Sequence, residues 1–343
     1  MILQQKKVIL AVVYLLLISI AIGGCTMMQR TVMTTSKYPE KPITLIVPFS
    51  AGGGMDLLAR AMEKTASTNL GQPLIIINKP GGGGTIGWNE LAGAAPDGYT
   101  IGISGVDLIL QSLYGSTKYN YPTALEPIVQ ITSSPYVMVV QANQPWKNVD
   151  DLIGYARQHP GQIKIGNSGV GSVAHVLSEM LAHTAGITLE SVPFRGGSEA
   201  LTALLGGHIQ ATFTSPATIR DHIKNGTLRV VAVPNEQRLT DPIFANAPTF
   251  KEQGLDIVFS NWMGVAIPKE MPIEVKTKLA DGLKAIILDP EFKIKLENIG
   301  LQVDYLPPQE VQKKWLDDSQ KISKIVKETG ILDRFKEQRN NSN

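Results

Sequence analysis

Ile43-Thr44-Leu45-Ile46-Val47-Pro48-Phe49-Ser50-Ala51-Gly52-Gly53-Gly54-Met55-Asp56 is the stretch on which the fold turns. A short β-rich run ends at Pro48, a glycine-rich turn follows, and a helical pattern runs from about Met55 to Asn69. A strand, a turn and then a helix form the first half of a βαβ unit. Leu74-Ile75-Ile76-Ile77 completes it as a second buried strand. Outward from there, Pro80-Gly81-Gly82-Gly83-Gly84 opens a helix over 85–95, which stops before Pro96-Asp97-Gly98; Tyr99 to Ile103 is a third strand.

The alternation then repeats. Tyr136 to Val140 reads as a strand, and a helix starts at Asn148 and stops near Pro160. Ile163 to Ile165 is a strand, followed by a glycine turn and a helix over 173–186. Leu189 to Pro193 leads through another turn into a helix ending at Leu205. Ala211 to Phe213, Arg229 to Val233 and Gly264 to Pro268 are further strands, and the remainder is mostly helical to Phe335. Strands alternating with helices predict an α/β fold with a mostly parallel sheet. The two halves share an architecture without a sequence repeat.

Upstream, Lys6 and Lys7 precede the apolar run Val8 to Ile22, and Gly23-Gly24-Cys25 follows. That run is shorter than the roughly 20 residues of a spanning helix and fits a signal-peptide core. The pattern predicts a lipoprotein signal peptide over 1–24, cut before Cys25, whose thiol carries lipid. A single transmembrane anchor with an incidental cysteine is the alternative. One acyl chain binds a membrane only marginally; the resemblance to bacterial lipoproteins implies a diacylglyceryl cysteine, which meets that need. Residues 25–37 read as a tether.

Removing the signal leaves a body long enough for two domains out of a chain of 343 residues. The 32 basic and 30 acidic residues nearly balance, which removes a bulk electrostatic case for nucleic acid. Cys25 is the sole cysteine, so the mature chain has no disulfide and no cysteine zinc site. With 43% hydrophobic and 18% charged residues, the body is globular.

Four strand-to-helix turns are rich in Gly, Ser or Thr: 49–56, 80–85, 167–172 and 194–198. Glycine lets backbone N–H groups face a ligand, and the helix N-terminus adds partial positive charge. Such turns make anion sites without lysine or arginine, and equally they simply close βα units. No loop has the Gly-Lys-Ser/Thr of a phosphate loop, and Gly52-Gly53-Gly54-Met55-Asp56-Leu57 lacks the last glycine of a dinucleotide fingerprint. Four loops in one exported chain point to a carboxylate or similar small anion. Asp56, in the first helical turn, either complements the helix charge or meets a ligand amine or water. Arg195 either pairs with a carboxylate or lies at a solvated rim, the latter favoured. His175 and Glu179 share a helix face at i,i+4, most simply for structure, and His159, His183, His208 and His222 have no metal-ligand spacing. Ser168 and Ser172 are not part of a nucleophile elbow. No nucleophile, general base, metal or cofactor is indicated.

The order of several motifs resembles the receptors of tripartite tricarboxylate transporters, the Bug family. They are Tyr38-Pro39-Glu40-Lys41-Pro42-Ile43, Val47 to Asp56, Gly71-Gln72-Pro73, Asn78 to Gly84 and Pro96-Asp97-Gly98-Tyr99-Thr100. Gly169-Val170-Gly171-Ser172, Val192-Pro193-Phe194-Arg195-Gly196, Ala247-Pro248-Thr249-Phe250 and Trp262-Met263-Gly264 continue the series. The resemblance spans 38 to about 330. It implies a type II periplasmic-binding-protein fold, a two-domain Venus flytrap. Domain 1 would comprise 38–137 plus 258–343, and domain 2 would comprise 138–257. Tyr136–Val140 and Ser260–Ile267 are the expected crossings between them. Carried over, the ligand-binding residues are Phe49, Ser50, Ala51, Gly52, Gly53 and Asp56, then Gly82, Gly83, Gly84 and Thr85. From domain 2 come Ser168, Gly169, Gly171, Ser172, Phe194 and Gly196. Gly82 replaces a common family alanine and Phe194 a frequent tyrosine, and 211–216 lacks the acidic residues often found there.

The resemblance implies a monomeric receptor, lipid-anchored at Cys25 on the extracytoplasmic face of the membrane or in the periplasm. It would capture a di- or tricarboxylate or related organic acid for membrane permease subunits, with no cofactor, catalysis or nucleic acid. Presenting the ligand to a membrane histidine kinase is the alternative, and an exported enzyme on the same fold is a third.

Overall fold

The computed structural model describes residues 37–113, 117–328 and 330–331. The expected signal peptide over 1–24, Cys25 and nearly all of the tether lie outside the described residues. The strands, in chain order, are β1 (Ile43–Val47), β2 (Leu74–Asn78), β3 (Thr100–Gly105), β4 (Leu125–Ser133), β5 (Val137–Gln141) and β6 (Lys164–Asn167). They continue with β7 (Glu190–Pro193), β8 (Ala211–Thr214), β9 (Leu228–Ala232), β10 (Trp262–Pro268) and β11 (Val303–Leu306). The helices are α1 (Gly54–Leu70), α2 (Thr85–Ala92), α3 (Val106–Leu113), α4 (Tyr121–Ala124), α5 (Val149–Gln158) and α6 (Val173–Ala185). Then come α7 (Gly197–Leu205), α8 (Pro216–Lys224), α9 (Ile273–Leu288), α10 (Pro290–Asn298) and α11 (Pro308–Glu328).

Two sheets organise the molecule, in the order β11-β4-β10-β3-β1-β2 and β7-β6-β8-β5-β9. Each sheet with its helices forms a lobe, the first and the second. The expectation of a mostly parallel sheet is corrected. β1 pairs in parallel with β2 and β3, and β6 with β7 and β8. The strands next to the crossings, β4, β5, β9 and β10, all pair antiparallel. A chain that leaves one sheet and returns to it later runs the second passage against the first.

The expected crossings are also shifted. Val137 to Val140 lies within β5 of the second sheet, and Trp262 to Ile267 within β10 of the first. The chain passes between sheets at 134–136, just after β4, and returns just before β10. There Ser134 N donates to Asn261 O at 2.9 Å, so the two passages lie side by side. β2 is an edge strand, not a buried one: Ile75 is 47% and Ile77 37% exposed. β4, α3 and α8 were not anticipated, and β11 interrupts the expected helical tail.

Burial explains the local choices. Leu45, Ile46 and Val47 of β1 are buried, and Leu58, Met62 and Ala66 form an inward stripe along α1. Trp88 of α2 is fully buried; its Nε1 donates to Ile103 O at 3.0 Å, and its ring meets Phe49 edge-on at 5.8 Å. That contact anchors the turn after β1 onto the core. α11 returns to the first sheet and packs on β4; there Trp262 Nε1 donates to Asp318 Oδ2 at 2.8 Å.

Gly264 marks the tightest strand contact. A Cβ there would lie 2.1 Å from the Val129 carbonyl oxygen, beside a register shift in the β10–β4 pair. Backbone cannot yield as a side chain can. Gly264→Ala is expected to destabilise the protein by about 1–3 kcal/mol, read as a lower urea midpoint with an unchanged slope.

Candidate functional site

The turns after β1 and β2 face the turns after β6 and β7, and all four glycine loops meet where the lobes approach. Close backbone passage sets the geometry. A Cβ at Gly196 would lie 2.7 Å from Ser50 N, and one at Gly169 would lie 2.6 Å from Gly83 N. One at Gly54 would lie 3.1 Å from the Ser215 Cβ. Gly81, Gly82, Gly83 and Gly84 all have positive φ, from 59° to 124°, a run that L side chains do not follow. The glycine runs therefore serve the meeting of two backbones as well as any ligand.

The helix N-termini differ in a way the sequence does not display. α1, α2 and α7 begin at Gly53, Gly84 and Gly196 with no side-chain cap. Their first N–H groups carry the partial positive charge that favours an anion. α6 is capped twice over. Ser172 Oγ accepts from His175 N at 3.4 Å, and Asp107 Oδ1, from the first lobe, accepts from Val173 N at 2.8 Å. Within its loop, Gly169 N donates to Asn167 Oδ1 and Gly171 N to His175 Nδ1. Ser172 N donates to Gly169 O.

Asp56 is held by groups of its own lobe. It is 2% exposed, and it takes Gly52 N at 2.8 Å, Arg60 Nε at 2.9 Å and Asn78 Nδ2 at 3.0 Å. Burial pushes its carboxyl up, but the hydrogen bonds from Arg60, Gly52 and Asn78 and the Arg60 charge outweigh this, so it ionises below the usual range. It shapes the first loop by holding Gly52.

Phe49 is buried against Trp88, and its carbonyl accepts from Asn78 Nδ2 at 3.0 Å. Ser50 Oγ donates across the lobes to Glu199 Oε1 at 3.0 Å. Ala51, Gly52 and Gly82 are exposed; Gly53, Gly83 and Gly84 are buried. Thr85 Oγ1 donates back to Gly82 O at 3.0 Å. Ser168 is buried, and Phe194 is half-buried beside Gly166. Arg195 lies at the rim, exposed, with Nε donating to Glu199 Oε1 at 3.1 Å. His175 is fully buried, and burial lowers its pKa to about 3, so it is neutral and structural. No group of three or more His, Cys, Asp or Glu gathers as a metal site among the described residues.

Four partners were missed: Asp107, Gln111, Glu199 and Ser215. Gln111 Nε2 donates to Val170 O at 2.8 Å, another contact between lobes. The available signal for Asp107 was a fifth strand-to-helix turn, Ser104-Gly105-Val106-Asp107, with a single glycine. Burial pushes its carboxyl to about 6, although amide hydrogen bonds from Val173 and from its own backbone hold it down. Burial raises the Tyr136 phenol, and the Asp107 charge raises it further.

A family model described as "Tripartite tricarboxylate transporter family receptor" matches residues 58–331. The protein BugT of Bordetella pertussis is 30% identical over 302 residues, covering 87% of this chain and 92% of its own. The structure of the periplasmic binding protein BugD aligns with TM-score 0.81 and 30% identity, over 85% of this chain and 99% of its own. A protein of R. palustris, solved with adipate, aligns with TM-score 0.80 and 29% identity, over 85% and 98%.

Two outcomes test this geometry. Gly196 has an extended backbone, φ −176°, that alanine adopts freely, so Gly196→Ala adds only the clash with Ser50. It is expected to leave the melting temperature unchanged and to hold the Ser50 and Gly196 loops apart, read as a larger radius of gyration by small-angle X-ray scattering. Asp56→Asn is expected to cost about 1–3 kcal/mol at neutral pH. Because the folded carboxyl ionises below its unfolded range, its stabilisation is full above roughly pH 4 and is lost as pH falls through the folded pKa. The gap between wild type and variant in urea titrations should therefore close in acid.

Proposed function

From the premise that this chain belongs to the tripartite tricarboxylate transporter receptor family, receptors and not enzymes, we propose that it captures a small carboxylate between its lobes for a membrane permease. The observation that carries this is the convergence of uncapped helix N-termini, α1 from one lobe and α7 from the other, across the Ser50–Gly196 contact. An anion there gains backbone N–H donors from both sides at once, and only when the lobes meet. Closure is then driven by contacts absent from the open form. The lobes are taken as 38–133 plus 262–331 and 137–257, hinged at 134–136 and at the return before Trp262.

Within this proposal, Ser50, Ala51, Gly52 and Gly53 offer the first anion cradle. Gly82, Gly83, Gly84 and Thr85 form its second wall, and Phe194 and Gly196 close it from the other lobe. Phe49 and Asp56 position the first loop, while Ser168, Gly169, Gly171 and Ser172 meet it as the lobes close. The adipate bound by the R. palustris relative supports a dicarboxylate. Lipid attachment at Cys25 would hold the receptor on the extracytoplasmic membrane face beside the permease.

A thermal-shift series with adipate, succinate, malate, citrate and benzoate, against glucose and arginine, tests the reading. At a hundredfold excess over Kd, a bound acid adds about 2.7 kcal/mol of stability. At least one acid is expected to raise the melting temperature in a concentration-dependent way. A response to glucose or arginine with none to any acid would overturn the ligand class.

A further inference from the structure

Asp107 stands at the carboxyl end of β3, in the first turn of α3, and is 1% exposed. Its Oδ1 reaches into the second lobe to the first N–H of α6, on Val173. Gln111, one turn along α3 on the same face, donates to the carbonyl of Val170 in the same loop. An acceptor and a donor from one helix thus read a donor and an acceptor of the facing loop. Both bonds join elements of different sheets, so both are lost when the lobes part. Asp107 lies outside the residues proposed to cradle the anion, whereas the Gln111–Val170 bond runs beside Gly83 of its second wall.

We infer that Asp107 is the closure latch of this receptor: its carboxylate docks on the positive N-terminus of α6 only in the closed form, with Gln111 fixing the register. The latch raises solute affinity without touching solute, because apparent affinity scales with the population able to close. It also assigns the helix ends. α6 receives the protein's own carboxylate, which leaves the uncapped ends of α1, α2 and α7 for the solute. The inference extends the proposed function, and its mechanical part stands apart from any ligand.

The test needs no solute. A Cβ at Gly52 lies 3.8 Å from the Ser198 Cβ across the lobes, the mean separation in disulfides. In the Cys25→Ser chain, Gly52→Cys with Ser198→Cys forms a disulfide whose equilibrium with glutathione reports the closed population. Strain at residue 52 is common to every background and cancels. Asp107→Ala is expected to lower that equilibrium constant about tenfold, the size of a lost charged cap. Asp107→Asn, which keeps the acceptor oxygen without the charge, should fall between them. The unfolding midpoint of the reduced chain should stay within error of wild type. Equal disulfide constants in all three backgrounds overturn the latch, as does a fall matched by equal loss of stability in the reduced chain. If Asp107→Ala fails to fold, Asp107→Asn carries the same comparison. Failure of the proposed function would look different: flat thermal shifts with every acid, and a disulfide constant that still falls.

Discussion

The two passages between the sheets, tied by Ser134 N and Asn261 O, are the constraint on which the rest depends. A chain that builds half a sheet, leaves to build another and returns must put its two crossings next to each other. That adjacency makes β4 and β10 antiparallel neighbours in one sheet, and sets β5 between β8 and β9 in the other. It also leaves each set of parallel strands pointing its carboxyl ends toward the gap between lobes. The glycine turns follow those ends, so they meet there without further instruction.

Across the gap, backbone meets backbone. Gly169 passes Gly83, and Gly196 passes Ser50, at distances that leave no room for a side chain. Close approach brings the N-termini of α1 and α7, one from each lobe, near one another at the Ser50–Gly196 contact. Side chains then sort those termini. Asp107 and Ser172 satisfy α6, whereas α1 and α7 begin at glycine with no side-chain cap. Around them, Asp56 and Glu199 both ionise readily, but their hydrogen bonds are spent on Gly52, Arg60, Asn78, Ser50 and Arg195. They give shape to the loops.

Much of this was legible in the chain. Helices over 54–70, 173–185 and 197–205 follow from apolar spacing and glycine or serine starts, and their observed ends lie within a residue or two of the reading. The glycine turns were legible because only glycine permits the run of positive φ at 81–84. β2 was misjudged because apolar composition alone does not tell an edge strand from a central one; Ile75 and Ile77 are exposed simply because no strand follows β2 in the sheet. Asp107 was invisible for a related reason. A single acid after a strand looks like ordinary complementation of its own helix, and its partner lies 66 residues away.

The amino-acid sequence by itself determined the α/β alternation, the four glycine turns and the family likeness, because these rest on local backbone preference and on the order of short motifs. Tertiary structure alone decided the strand order, the position of the crossings and which helix ends are occupied. Those depend on groups that meet only after the chain has folded back on itself. A local pattern can say that a helix N-terminus exists; only the packed molecule says whose carboxylate reaches it first.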